Sequence, residues 1–256
     1  MKDNGGQMSG HNKWSSIKHK KGAADAKRGK LFTRLGKEIV LAARDGGGDL
    51  TTNPRLRTAV QAAKTANMPK DNIEKAIKRG TGQIEGAVYE EITYEGYGHG
   101  GIAILIDVTT DNKNRAVAEI RHVLSKYGGN LAETGSVAYN FERKGAIEIK
   151  AESLDEDEFL LKALDLGAED VQKNDEIFTV YTSIADLYKI LSAFEENGFT
   201  IEKGELTRVP KVLINADSVA DKLLKLIDKI EDIDDVQTVY ANFEISDEVM
   251  NKLSEE

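Results

Sequence analysis

The sequence predicts a multidomain α and α+β protein, with an N-terminal helical bundle followed by two βαββαβ (ferredoxin-like) domains, one inserted in the other. Apolar residues recur at helical spacing up to about residue 82, and strand-like runs alternate with helical ones beyond it. The charge also changes sign near this point. With 256 residues, of which 40% are hydrophobic, the chain is long enough for two or three domains with their own cores.

The first long helix is predicted at residues 30–44. Leu31, Leu35 and Ile39 recur there at helical spacing and would pack inward. The cations fall on the opposite side, which we expect to be free to meet phosphate: Lys30, Arg34, Lys37 and Arg44. The Lys- and Ala-rich stretch before it, residues 15–28, is expected to form a helical arm.

Two shorter helices complete the predicted bundle. Asn53 supplies an N-cap and Pro54 a ring whose fixed φ suits the first helical position, which predicts a helix to about residue 66. Pro69 opens another helix, whose Ile73 and Ile77 would face inward. Its last turn carries cations, as expected near the negative end of a helix dipole.

Beyond residue 82 the pattern predicts two interleaved α+β units. The outer unit begins with strands at 88–97 and 101–109, a helix at 112–127 and a strand at 137–141. Six elements then spell βαββαβ: strand 146–150, helix 155–166, strands 169–173 and 177–182, helix 184–197 and strand 199–205. A strand at 205–209, a helix at 218–230 and a strand at 236–243 would complete the outer unit. The predicted domains are therefore a flexible N-terminus at 1–13, a basic helical bundle at 14–82, an α+β domain at 83–142 and 205–256, and an inserted α+β domain at 143–204.

The charge is divided unevenly along the chain. Residues 1–80 hold 18 Lys and Arg against 7 Asp and Glu, a net charge of +11. The whole chain has a net charge of −9, so the remaining residues carry −20. A basic region on an otherwise acidic protein indicates a polyanionic partner, and nucleic acid is the usual one. The alternative is a solvated helix face, which we consider less consistent with so large an excess.

Composition and motifs argue against several kinds of metal, redox and cofactor site. The chain has no cysteine, so it can form no disulfide, Cys-ligated metal site or thiol nucleophile. The four histidines are scattered without the spacing of a zinc site, and we expect no metal and no cofactor. Gly96, Gly98 and Gly101 match GxGxxG but lead into a strand rather than a helix, so a hairpin loop is predicted instead of a dinucleotide site.

Other features define what kind of protein to expect. No Walker lysine motif, GxSxG elbow or HExxH sequence occurs, so we predict a protein that is not an enzyme and has no small-molecule substrate. No stretch approaches the ~20 apolar residues of a membrane span. We therefore expect a cytoplasmic protein with no membrane partner.

The candidate nucleic-acid-binding residues are the cations of the basic region, together with one aromatic residue and one histidine. Trp14 would stack on a base or, equally well, pack against the bundle. Since no helix carries a typical base-contacting set, phosphate contact is favoured over sequence readout. The candidates are Lys13, Trp14, Lys18, His19, Lys20, Lys21, Lys27, Arg28, Lys30, Arg34, Lys37, Arg55, Arg57, Lys64 and Lys70.

Several long motifs resemble the YebC family, whose mitochondrial member is a translational activator of cytochrome oxidase. They include GHNKWSSIKHKKGAADAKRGKLFTRLGKEIVLAAR, NPRLRTAVQAAKTANMPKDNIEKAIKRGTG, YEGYGHGG, TDNKNRAVAEIRH and GGNLAETGSVAYNF. The resemblance extends from about Met8 to the C-terminus. It implies a helical first domain, two α+β domains with one inserted in the other, and a non-enzymatic regulator of gene expression. Many members are described as probable transcriptional regulators that bind DNA, and others act in translation on the ribosome.

The family-like motifs also suggest a second site beside the Gly-rich loop. Its candidates are Tyr94, Glu95, Tyr97, Asp111, Asn112, Asn114, Arg115 and Arg121. The structural alternative, which we favour, is that Asp111 or Asn112 caps a helix, Tyr94 packs, and the two arginines pair with nearby acids.

The sequence leaves the nucleic acid undecided. Binding of DNA by a transcriptional regulator is the prevailing description of the family. A ribosome-associated translation factor would instead engage ribosomal RNA by shape and phosphate, and a basic region on an acidic body fits that alternative.

Overall fold

The computed structural model describes residues 24–151, 154–174 and 177–255. Three helices come first: α1 (Ala24–Gly46), α2 (Pro54–Thr65) and α3 (Lys70–Gly80). They share one core, in which Ile39, Leu56, Val60 and Ile73 are buried. The start of α2 is fixed as predicted, because the Asn53 side chain accepts a hydrogen bond from the backbone N–H of Leu56 at 3.0 Å.

The first sheet has four strands in the order β3-β1-β2-β9. They are β1 (Glu90–Tyr97), β2 (Ala103–Thr110), β3 (Asn130–Leu131) and β9 (Val236–Ala241), and every pairing is antiparallel. Helices α4 (Lys113–Lys126) and α7 (Ala220–Glu231) bury Ile120, Leu124, Leu223 and Ile227 against one face of this sheet. As predicted, the Gly-rich stretch is the loop of the β1–β2 hairpin, and Gly100 and Gly101 have positive φ there.

The second sheet has the order β5-β6-β4-β7 and is also antiparallel. Its strands are β4 (Phe141–Lys150), β5 (Asp170–Asn174), β6 (Ile177–Thr182) and β7 (Ile201–Pro210). Helices α5 (Glu156–Asp165) and α6 (Leu187–Glu196) cover one face. Phe159, Phe178 and Phe194 form the centre of its core, with the first two rings stacked at 4.2 Å between centroids.

The predictions of two strands in the outer unit are wrong. Residues 138–140 form a 3-10 turn, and Phe141 begins a continuous strand of the second sheet. Val137 and Phe141 cover the other face of the first sheet, where they pack on Ala103 and Leu105 instead of adding a strand. Likewise, 205–209 is not a separate strand, because it belongs to β7, which pairs with β4 from Pro210 to Ile201 with a register shift only between Glu148 and Ile149.

The C-terminal end contains elements that the sequence did not predict. Strands β8 (Ile214–Asn215) and β10 (Phe243–Glu244) form a short parallel pair. Helix α8 (Asp247–Glu255) follows, and its Met250 is buried in the first α+β core. The prediction of a multidomain protein with mixed helix and sheet is confirmed. Over the described residues, no helix is both long and apolar enough to cross a membrane.

Candidate nucleic-acid interface

The cationic side of α1 is not free. Lys37 is only 6% exposed and donates hydrogen bonds to the Thr109 carbonyl at 2.8 Å, the Asp234 carbonyl at 3.0 Å and the Asp235 carboxylate at 2.9 Å. Its Nζ also lies 5.7 Å from the centroid of the Tyr89 ring. Lys37 therefore joins the helical region to the first α+β sheet and has no surface left for a phosphate.

Asp235 is the centre of this contact. It is 4% exposed and accepts hydrogen bonds from Lys37, from Arg115 at 2.7 Å and from Thr110 at 2.9 Å. Burial would raise the pKa of this carboxyl group, but the hydrogen bonds from Lys37, Arg115 and Thr110 outweigh burial and lower the pKa. We call these four residues the Asp235 junction.

Two more α1 cations contact the same segment, residues 231–235, which we call the docking loop. Lys30 donates to the Asp232 carbonyl at 2.6 Å, and Arg34 donates to the Glu231 carbonyl. Burial lowers the pKa of Arg34, although the neighbouring carboxylates oppose this effect. These carbonyls lie at the C-terminal end of α7, where a helix dipole attracts cations. The expectation that Lys30, Arg34 and Lys37 form a free phosphate-binding face is wrong.

Part of the predicted set lies outside the described residues. This applies to six residues of the N-terminal segment and to the side chain of one residue in the first turn of α1: Lys13, Trp14, Lys18, His19, Lys20, Lys21 and Lys27. Arg28, the next cation along α1, is exposed. Arg44 pairs with Asp45 at 2.8 Å and donates to the Tyr89 carbonyl at 2.7 Å, so it also makes internal contacts.

Arg55 is surrounded by carboxylates. Its guanidinium binds both oxygens of Glu38, at 2.8 and 3.1 Å, and also contacts Asp45 at 3.1 Å and Glu91 at 2.9 Å. Burial would lower the pKa of Arg55, but these carboxylates raise it overall. Arg57 donates to the Leu50 carbonyl at 3.3 Å. Arg55 therefore ties α1, α2 and β1 together, which makes it a structural residue rather than a free cation.

The remaining predicted cations, Lys64 and Lys70, are exposed. Lys70 pairs with Glu74 at 3.6 Å, but its side chain is 87% exposed, so the pair leaves it open to other anions. Both lie near the turn that joins α2 to α3.

Sequence reasoning missed three further exposed cations of the bundle. Lys75, Lys78 and Arg79 on α3 are all exposed, and no partner for them occurs among the described residues. Their i, i+3 and i+4 spacing places them side by side, opposite the buried Ile73. The same spacing in the sequence could have indicated this surface, which we call the α3 cation face.

The strand residues of the second predicted site make internal contacts. Glu95 is 4% exposed and accepts backbone N–H groups of Gly135, Val137 and Ala138 at 2.6, 2.7 and 2.9 Å. Burial would raise the pKa of Glu95, but these hydrogen bonds lower it overall. Tyr97 donates to the Ser136 carbonyl at 3.1 Å, and Tyr94 packs on the sheet core.

Some loop and helix residues of that site cap α4 or form an ion pair, and others are exposed. Asn112 caps α4 by accepting the Arg115 N–H at 3.0 Å, and Arg115 also pairs with Asp111 at 2.9 Å. Asn114 and Arg121 are exposed. Over the described part of the chain, no group of three or more His, Asp or Glu residues could hold a metal ion.

Two family models and several known proteins match this chain. The model of the TACO1/YebC N-terminal domain matches residues 12–83, and the model of the TACO1/YebC second and third domain matches residues 89–243. A "Probable transcriptional regulatory protein" of Dictyoglomus turgidum is 56% identical over 96% of this chain and 100% of the relative. One of Syntrophobacter fumaroxidans is 53% identical over the same shares, 96% and 100%.

A solved structure is similar as well. The crystal structure of a conserved hypothetical protein from Aquifex aeolicus has a TM-score of 0.84 and 50% sequence identity, and the match covers 92% of this chain and 98% of that chain. The resemblance predicted from the motifs is thus confirmed. The names of these relatives describe probable transcriptional regulators. The chain belongs to the TACO1/YebC family.

Proposed function

We propose that this chain is a non-enzymatic regulator of gene expression that binds nucleic acid through its basic N-terminal domain, residues 14–82. The α3 cation face is the observation that carries this proposal, because Lys75, Lys78 and Arg79 are exposed beside one another. Lys64 and Lys70 extend the exposed positive charge toward α2. The N-terminal cations from Lys13 to Lys21, which lie outside the described residues, belong to the same proposal.

The acidic remainder has a different part in the proposal. Residues 81–256 carry a net charge of −20 and would be repelled by a phosphate backbone. We assign them to an α+β domain that contains the first sheet and to an inserted α+β domain that contains the second sheet, residues 141–210. These domains would act through protein contacts or as spacers, while the basic domain contacts the nucleic acid.

Binding by phosphate contact is favoured over base readout. Helix α1, at 23 residues the longest of the described helices, is held against the docking loop by Lys30, Arg34 and Lys37. A recognition helix needs an open face that can enter the major groove. Apart from Arg28 and Arg44 on α1, the exposed cations of the bundle named above lie on α3 or near the turn before it, an arrangement that suits recognition of backbone shape.

Two nucleic acids, DNA and ribosomal RNA, are alternative targets of this surface. The names of the relatives support a transcriptional regulator that binds DNA. A ribosome-associated translation factor that binds ribosomal RNA is the second candidate. It is favoured by the occupied face of α1, because a factor that recognises phosphate and shape needs no base-reading helix.

Competition between the two polymers tests the proposal. At ~150 mM salt, the protein is titrated with labelled ribosomal RNA fragments and with duplex DNA of equal length. One DNA sequence that wins by ~1000-fold or more, as true operators do, would establish the transcriptional reading. RNA binding at least as tight as DNA binding would favour the translational one. A protein that binds neither polymer would contradict the whole proposal.

A further inference from the structure

A cleft of about 260 Å³ lies between α1 and α3, beside the α3 cation face. Phe32 and Val40 line it from α1, Ala76 lines it from α3, and Met68 lines it from the turn between α2 and α3. Its volume is slightly below the ~300 Å³ at which pockets for drug-sized ligands begin. The cleft therefore suits one small group.

The rim of this cleft is polar and positive. Lys75, Arg79 and Asn72 line it, and all three are exposed. The Arg79 side chain is packed beside the linker that follows α3, since a Cβ at Gly86 would lie 3.1 Å from its Cδ. The Asn72 side-chain amide has hydrogen-bond donors and an acceptor, which can pair with the edge of a heterocycle. Two exposed cations and an amide thus lie at the rim of a cleft that two aromatic residues, Phe32 and Tyr89, also line.

We propose that this cleft binds a single unpaired nucleotide of a nucleic-acid strand. The base would enter between α1 and α3 and stack on Phe32, while Lys75 and Arg79 hold the flanking phosphates. Aromatic rings accept any base because every base has a π-face, and cations beside them track the backbone. This inference rests on the proposed function, and it adds that the preferred substrate contains an unpaired base.

The chain offers a matched pair of variants for the test. Gly36 lines the cleft and Gly29 does not, yet both lie on α1 and a Cβ at either position would meet no atom within 4 Å. Gly36→Leu places a side chain at the cleft wall, and Gly29→Leu places the same side chain away from it. Leucine is a better helix former than glycine, so both variants should fold at least as well as the parent. Thermal unfolding checks this.

The probes are three hairpins that differ at one position: fully paired, with one bulged nucleotide, or with an abasic site in the bulge. Each is made as RNA and as DNA. The full-length protein should bind the bulged hairpin about tenfold more tightly than the paired one, the effect of stacking one base. Gly36→Leu and the abasic bulge should both abolish this preference, whereas Gly29→Leu should keep it.

The outcomes separate the two proposals. Equal binding of bulged and paired hairpins by the parent protein would overturn the cleft proposal and leave the proposed function standing. A Gly36→Leu variant that retains the preference would also overturn it. Failure to bind any hairpin would contradict both. With 5-iodouridine at the bulge, photo-crosslinking should label Phe32 or Tyr89, the aromatic residues that line the cleft, and crosslinking to Trp14 alone would show that the base binds elsewhere.

Discussion

Helices α1 and α3 of the same bundle both carry a row of cations, but among the described residues only the α1 row has partners. Lys30, Arg34 and Lys37 of α1 are bound to the docking loop, whereas Lys75 and Lys78 of α3 face solvent. In the sequence the two rows look alike. What distinguishes them is an acidic loop 198 residues away from Lys37 along the chain. A cationic helix face therefore indicates a binding surface only when the fold leaves it uncovered.

Burial makes the Lys37 contact of the α1 row costly to disturb. Lys37 and Asp235 have side chains 7% and 6% exposed and are 2.9 Å apart. Removing one partner of such a pair leaves the other charge buried and uncompensated. On the α3 cation face the charges are solvated, so their removal should have little effect on folding.

The largest expected effect is on stability at the Asp235 junction. Asp235→Ala should lower the free energy of unfolding by about 3–5 kcal/mol, because Lys37 and Arg115 lose their shared carboxylate. Urea denaturation measures the change. The double variant Lys37→Met with Asp235→Leu should recover much of the loss, since it removes both charges. A single variant within ~0.5 kcal/mol of the parent would show that the junction is not stabilising.

The same junction should make the protein sensitive to acid. Because the pKa of Asp235 is lowered in the folded state, its contribution is fully present above the unfolded Asp pKa of about 3.9. The contribution is lost as the pH falls below that value through the lower folded pKa. The pKa of Glu95 is also lowered in the folded state, so its contribution to stability is likewise lost as the pH falls below the unfolded Glu pKa of about 4.3. Unfolding measured from pH 6 to about pH 2 should show the Lys37→Met, Asp235→Leu variant losing less stability than the parent. Parallel curves would contradict the assignment.

The effect on stability should be small at Lys30, the first cation of the α1 row. Lys30 is 39% exposed where it pairs with Asp232 at 3.6 Å, so Lys30→Ala should cost at most about 1 kcal/mol. Its affinity for nucleic acid should equal that of the parent within about twofold, since the side chain is engaged internally. A large loss of affinity without a loss of stability would mean that Lys30 leaves the docking loop to bind phosphate.

Local sequence signals predicted most of the fold. The Asn53 cap and the hairpin loop were recognised because their chemistry involves neighbouring residues. Strand β4 was predicted in two parts, on either side of Gly145. Gly145 lies within the continuous strand, and helix α6 passes so close to it that a Cβ there would lie 2.8 Å from the Leu187 Cβ. This contact is tertiary and cannot be read from a local pattern.

The candidate site was less predictable for the same reason. Spacing placed Lys37 on a polar helix face, but its partners Thr109 and Asp235 belong to another part of the fold. Arg55 likewise finds Glu38 and Glu91 on two different elements. Sequence alone gives the charge of a helix face, and only the packing of the domains gives its exposure.

The most direct test compares the salt dependence of nucleic-acid binding for the two rows. One full-length variant replaces Lys75, Lys78 and Arg79 by Gln, and its control replaces Lys30 and Arg34 by Gln. If the α3 cation face contacts phosphates, the first variant should reduce the slope of log K against log salt on duplex DNA by about 2.7. The control should keep the parent slope. A control that loses slope while the α3 variant keeps it would contradict the account.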